Sequence, residues 1–236
     1  MLNLYVASTR RKCGKTFISA GMAATMQSLG YNTTVYKPIQ TSGIERNGFM
    51  QSPDLTYVKT IDPYIGTKFT YLYKSDAEPL VAAETENEPI EIELIQSDFK
   101  KITSDCTIID SDNGIFSPIA PSLHNSDVVK RLKVPVLLIT SPDENAINDT
   151  LLSINYMKEN DIELRGVVIN NIPKDCNKQL LVSIPRLIEE YSDTNVLGLV
   201  ENLGEEPSPQ DLISSILNGI DIESVFNVKI EKLDFV

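Results

Sequence analysis

The sequence predicts an α/β fold, a mostly parallel sheet with helices on both faces. Three observations carry the prediction. Apolar, strand-like runs alternate with helix-like segments, the order that βαβ units produce. The first strand-like run leads through Gly14-Lys15-Thr16 into an amphipathic helix. No linker, repeat or low-complexity segment interrupts the 236 residues, so residues 1–236 read as a single domain.

Each element follows from its pattern. Leu2 to Ala7 is a short buried strand. A helix runs from about Lys15 to Leu29, because Ile18, Met22, Met26 and Leu29 recur at spacings of four, four and three and form one apolar stripe. Gly30 follows as its C-terminal cap. Tyr31 to Tyr36, β-branched at its centre, is the next strand. Helical segments lie between Pro79 and Ile102, including IEIELIQSDFKKI. Later strands are Cys106 to Ile109, Val134 to Ile139, Gly166 to Ile169 and Asn195 to Val200. Helical patterns at Ser126 to Leu132, Asp143 to Glu159 and Lys178 to Tyr191 separate them.

The composition, 42% hydrophobic and 23% charged, is that of a soluble globular protein. No apolar run approaches the ~20 residues that span a bilayer. Met1 to Tyr5 enters a strand-like run directly, without a basic stretch and long apolar stretch, so a cytoplasmic location is expected. Cys13, Cys106 and Cys176 are odd in number and far apart, which argues against a disulfide framework or a structural zinc site. The single histidine, His124, is expected in a surface loop. The net charge of −12 argues against nucleic-acid binding. That charge is uneven: residues 1–44 hold Arg10, Arg11, Lys12, Lys15 and Lys37 and no acid, leaving −17 for the rest. A local basic site on an acidic protein suits a small anion such as a nucleotide.

Gly14-Lys15-Thr16 is where that anion is expected. Glycine lets backbone N–H groups approach phosphate oxygens, and the helix N-terminus adds partial positive charge. Lys15 can reach the β- and γ-phosphates, and the Thr16 hydroxyl can ligate Mg²⁺. A strand before and a helix after are the setting of a P-loop NTPase. Lys12, Cys13, Gly14, Lys15, Thr16 and Phe17 then form the nucleotide-binding loop, which the resemblance given below makes an ATP-binding one; an ordinary strand-to-helix turn is the alternative. The strict G-x-x-x-x-G-K-[ST] pattern asks for glycine where Thr9 stands.

Further motifs follow in order. Lys37-Pro38-Ile39-Gln40-Thr41-Ser42-Gly43 ends the second strand, and Ser52-Pro53-Asp54 comes next. EPLVAAE covers Glu78 to Glu84, IIDSDNGIFSPI covers Ile108 to Ile119, and VVINNIP places Asn170-Asn171 after a late strand. In this order and spacing the set resembles the dethiobiotin synthetase family, ATP-dependent P-loop enzymes of the biotin pathway. That family's loop reads G-T-D-T-x-V-G-K-T, with Ser8 here at its first glycine and Thr9 at its threonine. K-P-x-x-[ST]-G, a later Asp, S-P-H-x-A-A, E-G-A-G-G and N-[DN] follow in the family. The resemblance spans about residues 2–203.

The resemblance implies a reaction. Diaminopelargonic acid is carbamated by CO₂, the carbamate oxygen attacks the ATP γ-phosphate, and the mixed anhydride closes to a cyclic urea. Such chemistry leaves little acid–base work; the protein positions groups and neutralises charge. By resemblance Lys37 and Lys15 are the catalytic lysines, Lys37 steadying the carbamate and the transferring phosphoryl group. Thr41 corresponds to a substrate-contacting hydroxyl, and Arg11 to a threonine that contacts the carbamate. Asn148 belongs to a helix start that binds the substrate carboxylate, often across a homodimer interface. Asn170 and Asn171 would read the adenine edge, with a second base-contacting loop around Glu201. Thr16, Asp54 and Asp110 are the Mg²⁺ candidates, with Asp112 a further carboxylate nearby. Plainer roles stand beside these: a salt-bridged surface lysine for Lys37, a turn aspartate for Asp54, and a helix cap before Pro173 for the two asparagines.

The chain also departs from the family. Arg10, Arg11 and Lys12 do not match its loop. Arg11 can pair with an anion, or block a diamine pocket by bulk and charge, or all three cations can be solvated on the loop's outer face. Asp110 replaces a glutamate one methylene longer, only Gly114 survives of E-G-A-G-G, and Leu80 replaces the histidine of S-P-H. Asp143 and Glu144 stand where a carboxylate is expected to bind, although Ser141-Pro142-Asp143-Glu144 also reads as a helix capping box. Other functions therefore compete: a P-loop amidoligase acting on a carboxylate, a partition- or septum-type ATPase switch, and a nucleotide-binding regulatory protein.

Overall fold

The chain is described here by a computed structural model, which covers residues 1–204 and 206–230. From the N-terminus run β1 (Leu2–Ser8), α1 (Lys15–Ser28), β2 (Thr33–Gln40), β3 (Ile44–Arg46), β4 (Phe49–Gln51), α2 (Pro53–Ile61), β5 (Gly66–Leu72), α3 (Pro79–Glu86) and α4 (Ile92–Lys100). Next come β6 (Cys106–Gly114), β7 (Pro118–Ala120), β8 (Leu123–His124), α5 (Asn125–Leu132), β9 (Val136–Thr140) and α6 (Ala146–Glu159). The chain continues through β10 (Leu164–Ile172), α7 (Lys178–Ser192), β11 (Val196–Glu201), α8 (Pro209–Gly219) and α9 (Ile222–Phe226).

Seven strands form one parallel sheet in the order β11-β10-β9-β1-β6-β2-β5. Strand alternation divides the core between its two faces. Leu4 and Val6 pack with α1, α2, α8 and α9 on one face. Tyr5 and Ala7 pack with residues of α3 to α7 on the other. The predicted stripe of α1 is buried, Ile18, Met22 and Met26 completely and Leu29 to 7% exposure. The helix is closed by Gly30, whose φ of +87° lets its N–H turn back to the Gln27 carbonyl at 2.9 Å.

β2 is longer than predicted and runs on through Lys37-Pro38 to Gln40. Its ladder with β6 ends at Tyr36, whereas pairing with β5 continues to Gln40. Pro38 therefore lies beyond the β6 ladder, where its missing N–H costs no bond on that side. β6 likewise extends past Ile109 through the polar residues Asp110 to Gly114. Both extensions carry site residues.

The capping box at Ser141 does not form. α6 begins at Ala146, Asn145 precedes it without a side-chain cap, and Ser141 Oγ is buried without a hydrogen-bond partner. Asp143 instead accepts the Asn145 N–H at 2.9 Å and pairs with Arg10. His124 is not a simple loop residue. It ends β8, caps α5 and stacks on Phe116 with ring centres 4.4 Å apart.

Candidate functional site

Ligands of open parallel sheets bind beyond the carboxyl ends of the strands, where the strand order reverses. Here β1 lies between β6 and β9, and the loop of residues 9–14 leaves its carboxyl end for α1. A cleft of about 220 Å³ opens there, lined among others by Arg11, Gly14, Lys15, Thr16, Lys37 and Asp54.

The loop's backbone is fixed by distant side chains. Gly14 has φ +80°, and a Cβ there would come within 2.2 Å of Asn170 Nδ2. Asn170, from β10, donates to the Cys13 carbonyl at 2.9 Å, and Asn171 to the Lys12 carbonyl at 3.4 Å. The helix-cap alternative for these asparagines fails, because Asn177 caps α7. Buried Lys15 donates to Ser8 Oγ at 3.0 Å. Burial, with Lys37 nearby, pushes its ammonium below the ordinary lysine range.

Lys37 is 1% exposed, so the surface-lysine alternative fails as well. Its ammonium lies 2.5 Å from Asp54 and 2.9 Å from Asp110, and donates to the Ser111 carbonyl at 3.1 Å. Burial opposes its charge, but Asp110, Asp54 and Asp112 outweigh burial and raise its pKa. Asp54 enters from the first turn of α2, which Ser52 caps at the Leu55 N–H. Burial works against its charge too, yet Lys37 keeps the carboxyl below the usual range. Asp110 is 1% exposed and accepts from Thr16 at 3.0 Å and Ser19 at 3.1 Å. Thr41 donates to Asp112 at 3.0 Å, and burial pushes the Asp112 carboxyl up.

Two loop cations are paired with acids of the same chain. Arg10 bonds Asp143 and lies 3.5 Å from Asp149. Arg11 bonds Asp76 at 2.9 Å, and Ser42 shares that carboxylate at 2.8 Å. Lys12 is exposed at the cleft rim, with φ +64°.

Lys15, Thr16, Lys37, Asp54, Asp110 and Thr41 thus converge. Cys13 stays in the loop with its side chain buried, and Phe17, in the first turn of α1, turns its ring to the core. Other expected residues lie elsewhere. Asn148 is exposed on α6 and bonds Asp149 at 3.1 Å. Glu201 is exposed at the end of β11. Ser19 escaped the sequence reading although it lies on the same face of α1 as Thr16, one turn on. Gln40 also escaped it; its side chain accepts from Ser52 at 2.6 Å beside the cleft.

A parallel sheet whose first strand runs through such a loop into a helix defines a P-loop nucleotide-binding protein. The chain belongs to the AAA domain family, whose model matches residues 2–209. It is similar to the ATP-dependent dethiobiotin synthetase BioD of Bacillus licheniformis, 27% identical with 96% of this chain and 97% of that one covered. Similarity of 27% extends to the BioD of Clostridium acetobutylicum, over 87% of this chain and 88% of the relative. Among solved structures, a ParA family ATPase from Chlorobium tepidum gives a TM-score of 0.58 at 14% identity, over 98% of this chain and 97% of that one. The MinC:MinD cell division complex of Aquifex aeolicus gives 0.56 at 14% identity, over 92% of this chain and 88% of the matched chain. At that identity these structures share the fold alone. Among the described residues no helix is long and apolar enough to cross a membrane.

Proposed function

We propose that this protein is an ATP- and Mg²⁺-dependent dethiobiotin synthetase, forming a cyclic urea from diaminopelargonic acid and CO₂. The observation that carries the reading is Lys37, buried beside Lys15 and Thr16 with Asp54 and Asp110 as its counterions. The relatives named as ATP-dependent dethiobiotin synthetase BioD, similar over most of the chain, support it.

The donors around Lys37 fit Mg²⁺. Thr16, Asp54 and Asp110 offer hard oxygens, two of them carboxylates, the number expected where phosphates and water complete the shell. No described group of three or more His, Cys, Asp or Glu residues is arranged to hold a metal. When bound, the ion would neutralise phosphate charge and polarise the γ-phosphoryl group.

The chain's own residues do the rest. Backbone N–H groups from Lys12 to Thr16, at the start of α1, receive the phosphates. Lys15 exchanges its neutral partner Ser8 for a phosphate oxygen. Asp54 and Asp110 would hold the cation, and Lys37 beside them would bond the carbamate and the transferring phosphoryl oxygens. Arg11 and Thr41 line the substrate side of the cleft. Asn170 and Asn171 hold the loop from behind, and adenine is their second assignment. Asn148 takes the substrate carboxylate only if a second subunit brings its helix to the cleft. The reading extends to a single-domain cytoplasmic homodimer whose partners are small molecules.

An ATPase switch of the partition or septum type carries a signature lysine where Arg10 stands, and here Arg10 is engaged by Asp143 and Asp149 of its own chain, which disfavours that reading. The test is ADP release with ATP, Mg²⁺ and bicarbonate. Release that requires diaminopelargonic acid and disappears in Lys37→Ala supports the proposal. Release indifferent to the diamine, or driven equally by a dicarboxylate, rejects it.

A further inference from the structure

The loop presents a problem for a diamine substrate. Arg11, Lys12, Lys15 and Lys37 all line the cleft; Asp76 pairs with Arg11, and Asp54 and Asp110 pair with Lys37, so an incoming amine still meets the charges of Lys12 and Lys15. Like charges in a partly buried cleft repel strongly. Some acid must offset them on the substrate side.

The structure narrows the choice. Arg11 is drawn toward Asp76, which sits at the outer rim and is already shared with Ser42. Asp54 and Asp110 are occupied by Lys37, at 2.5 and 2.9 Å, and are the metal candidates. Asp143 and Asp149 hold Arg10 and do not line the cleft. Asp112 remains. It lines the cleft from the extended end of β6 and receives the Thr41 hydroxyl at 3.0 Å on one oxygen, Oδ2. No ion pair joins it to a cation among the described residues. Thr41 is 1% exposed and ends the β2 side of the same wall, so the hydroxyl fixes the direction of the carboxylate.

We propose that Asp112 is a specificity-determining residue, whose carboxylate, oriented by Thr41, receives an amino group of the substrate and selects amines over carboxylates. The inference deepens the diamine reading above and rests on it. A carboxylate bonding an ammonium or amine N–H makes a charge-assisted hydrogen bond, roughly twice as strong as a neutral one. In a cleft of this charge it also decides sign: a dicarboxylate substrate would face Asp112 directly and be repelled. The cleft's cations and Asp112 are then complementary features of one pocket, with the cations for phosphate and carbamate oxygens and Asp112 for nitrogen.

The test is calorimetric titration of diaminopelargonic acid into protein saturated with Mg²⁺ and a non-hydrolysable ATP analogue, with turnover measured in parallel. Asp112→Asn preserves shape and removes the charge, and its binding of the ATP analogue in the same titration shows that it is folded. The expected result is affinity for the diamine about 10-fold or more weaker in Asp112→Asn, the size expected for losing a charged hydrogen bond. Nucleotide affinity and the Mg²⁺ concentration for half-maximal nucleotide binding should not move. Of the two analogues with one amino group replaced by hydroxyl, one should bind wild type and Asp112→Asn alike. Equal diamine affinity in both proteins overturns the inference, as does a shifted Mg²⁺ requirement, which would make Asp112 a metal ligand. Diamine that binds wild type, depends on Asp112 and yet is not turned over rejects the proposed function and leaves this inference standing. Turnover indifferent to Asp112→Asn does the reverse. Wild type that binds no diamine rejects both.

Discussion

Lys37 Nζ lies 2.9 Å from Asp110 Oδ2, and each residue is only 1% exposed. Two opposite charges have been taken out of water together, and each is the other's justification. Breaking such a pair from one side leaves a bare buried charge, at a cost of about 3–5 kcal/mol, whereas replacing both partners by apolar residues is often near neutral.

Lys37→Met should therefore lower unfolding free energy by about 3–5 kcal/mol, because Asp110 is left without its cation. Lys37→Met with Asp110→Leu should recover part of that stability and none of the activity, since Asp54 still lacks its cation and buried Ser19 its acceptor. Urea denaturation of both variants measures the difference. Equal destabilisation would mean that the pair is held for packing and not for charge.

Gly14→Ala places a Cβ in a backbone at φ +80° and within 2.2 Å of Asn170 Nδ2. The strained φ alone costs about 1–3 kcal/mol. The clash adds to it by pushing away the amide that holds the Cys13 carbonyl at 2.9 Å. Adding Asn170→Ala relieves the clash, so the double variant should lose less than the sum of the single losses. Thermal unfolding and ATP titration both report it; strict additivity would show that the two residues do not meet.

Arg10 and Asp143 side chains are each 37% exposed, so their ion pair is a surface one. Arg10→Ala should change stability by no more than about 1 kcal/mol, less at high salt. ATP affinity should stay as it was. A marked loss of ATP affinity would place Arg10 on the nucleotide and not on α6.

Lys15 gives the site a pH dependence of known sign. Burial, helped by Lys37, holds its pKa below the ordinary lysine value. Phosphate oxygens beside it favour the charged form and bring the pKa back up. ATP binding then takes up protons at alkaline pH, and ATP affinity falls as pH rises through the lowered pKa of the free protein. Calorimetry in buffers of different ionisation enthalpy measures the uptake, which Lys15→Met should abolish. Proton release on binding would reverse the assignment.

Much of this was legible in the sequence. The stripe Ile18, Met22, Met26 and Leu29 gave α1, and the apolar runs gave β1, β6, β9, β10 and β11 with ends a few residues short. The strand ends were short because site strands turn polar before they stop: β6 carries Asp110 to Gly114 in extended form. β5 was missed because GTKFTYL, an edge strand, is mostly half-buried and mixes polar with aromatic residues. The short helices α2, α8 and α9 were missed too, although serine or aspartate caps mark all three. Thr16 and Asp110 meet across 94 residues, and motif order made them candidates. No local pattern links Arg10 to Asp143 or Arg11 to Asp76, since each pair joins loops distant in sequence. Those contacts draw two of the basic loop's cations toward acids of the same chain.

In the proposed reaction the cleft around Lys37 builds a cyclic urea from a diamine and CO₂ at the expense of ATP. The most direct measurement is mass spectrometry of the product formed from diaminopelargonic acid, ATP and Mg²⁺ with ¹³C-bicarbonate. The expected result is dethiobiotin carrying the label in its ureido carbonyl, one ADP for each product, and neither in Lys37→Ala. Protein that binds ATP and diamine but forms no labelled dethiobiotin would contradict it.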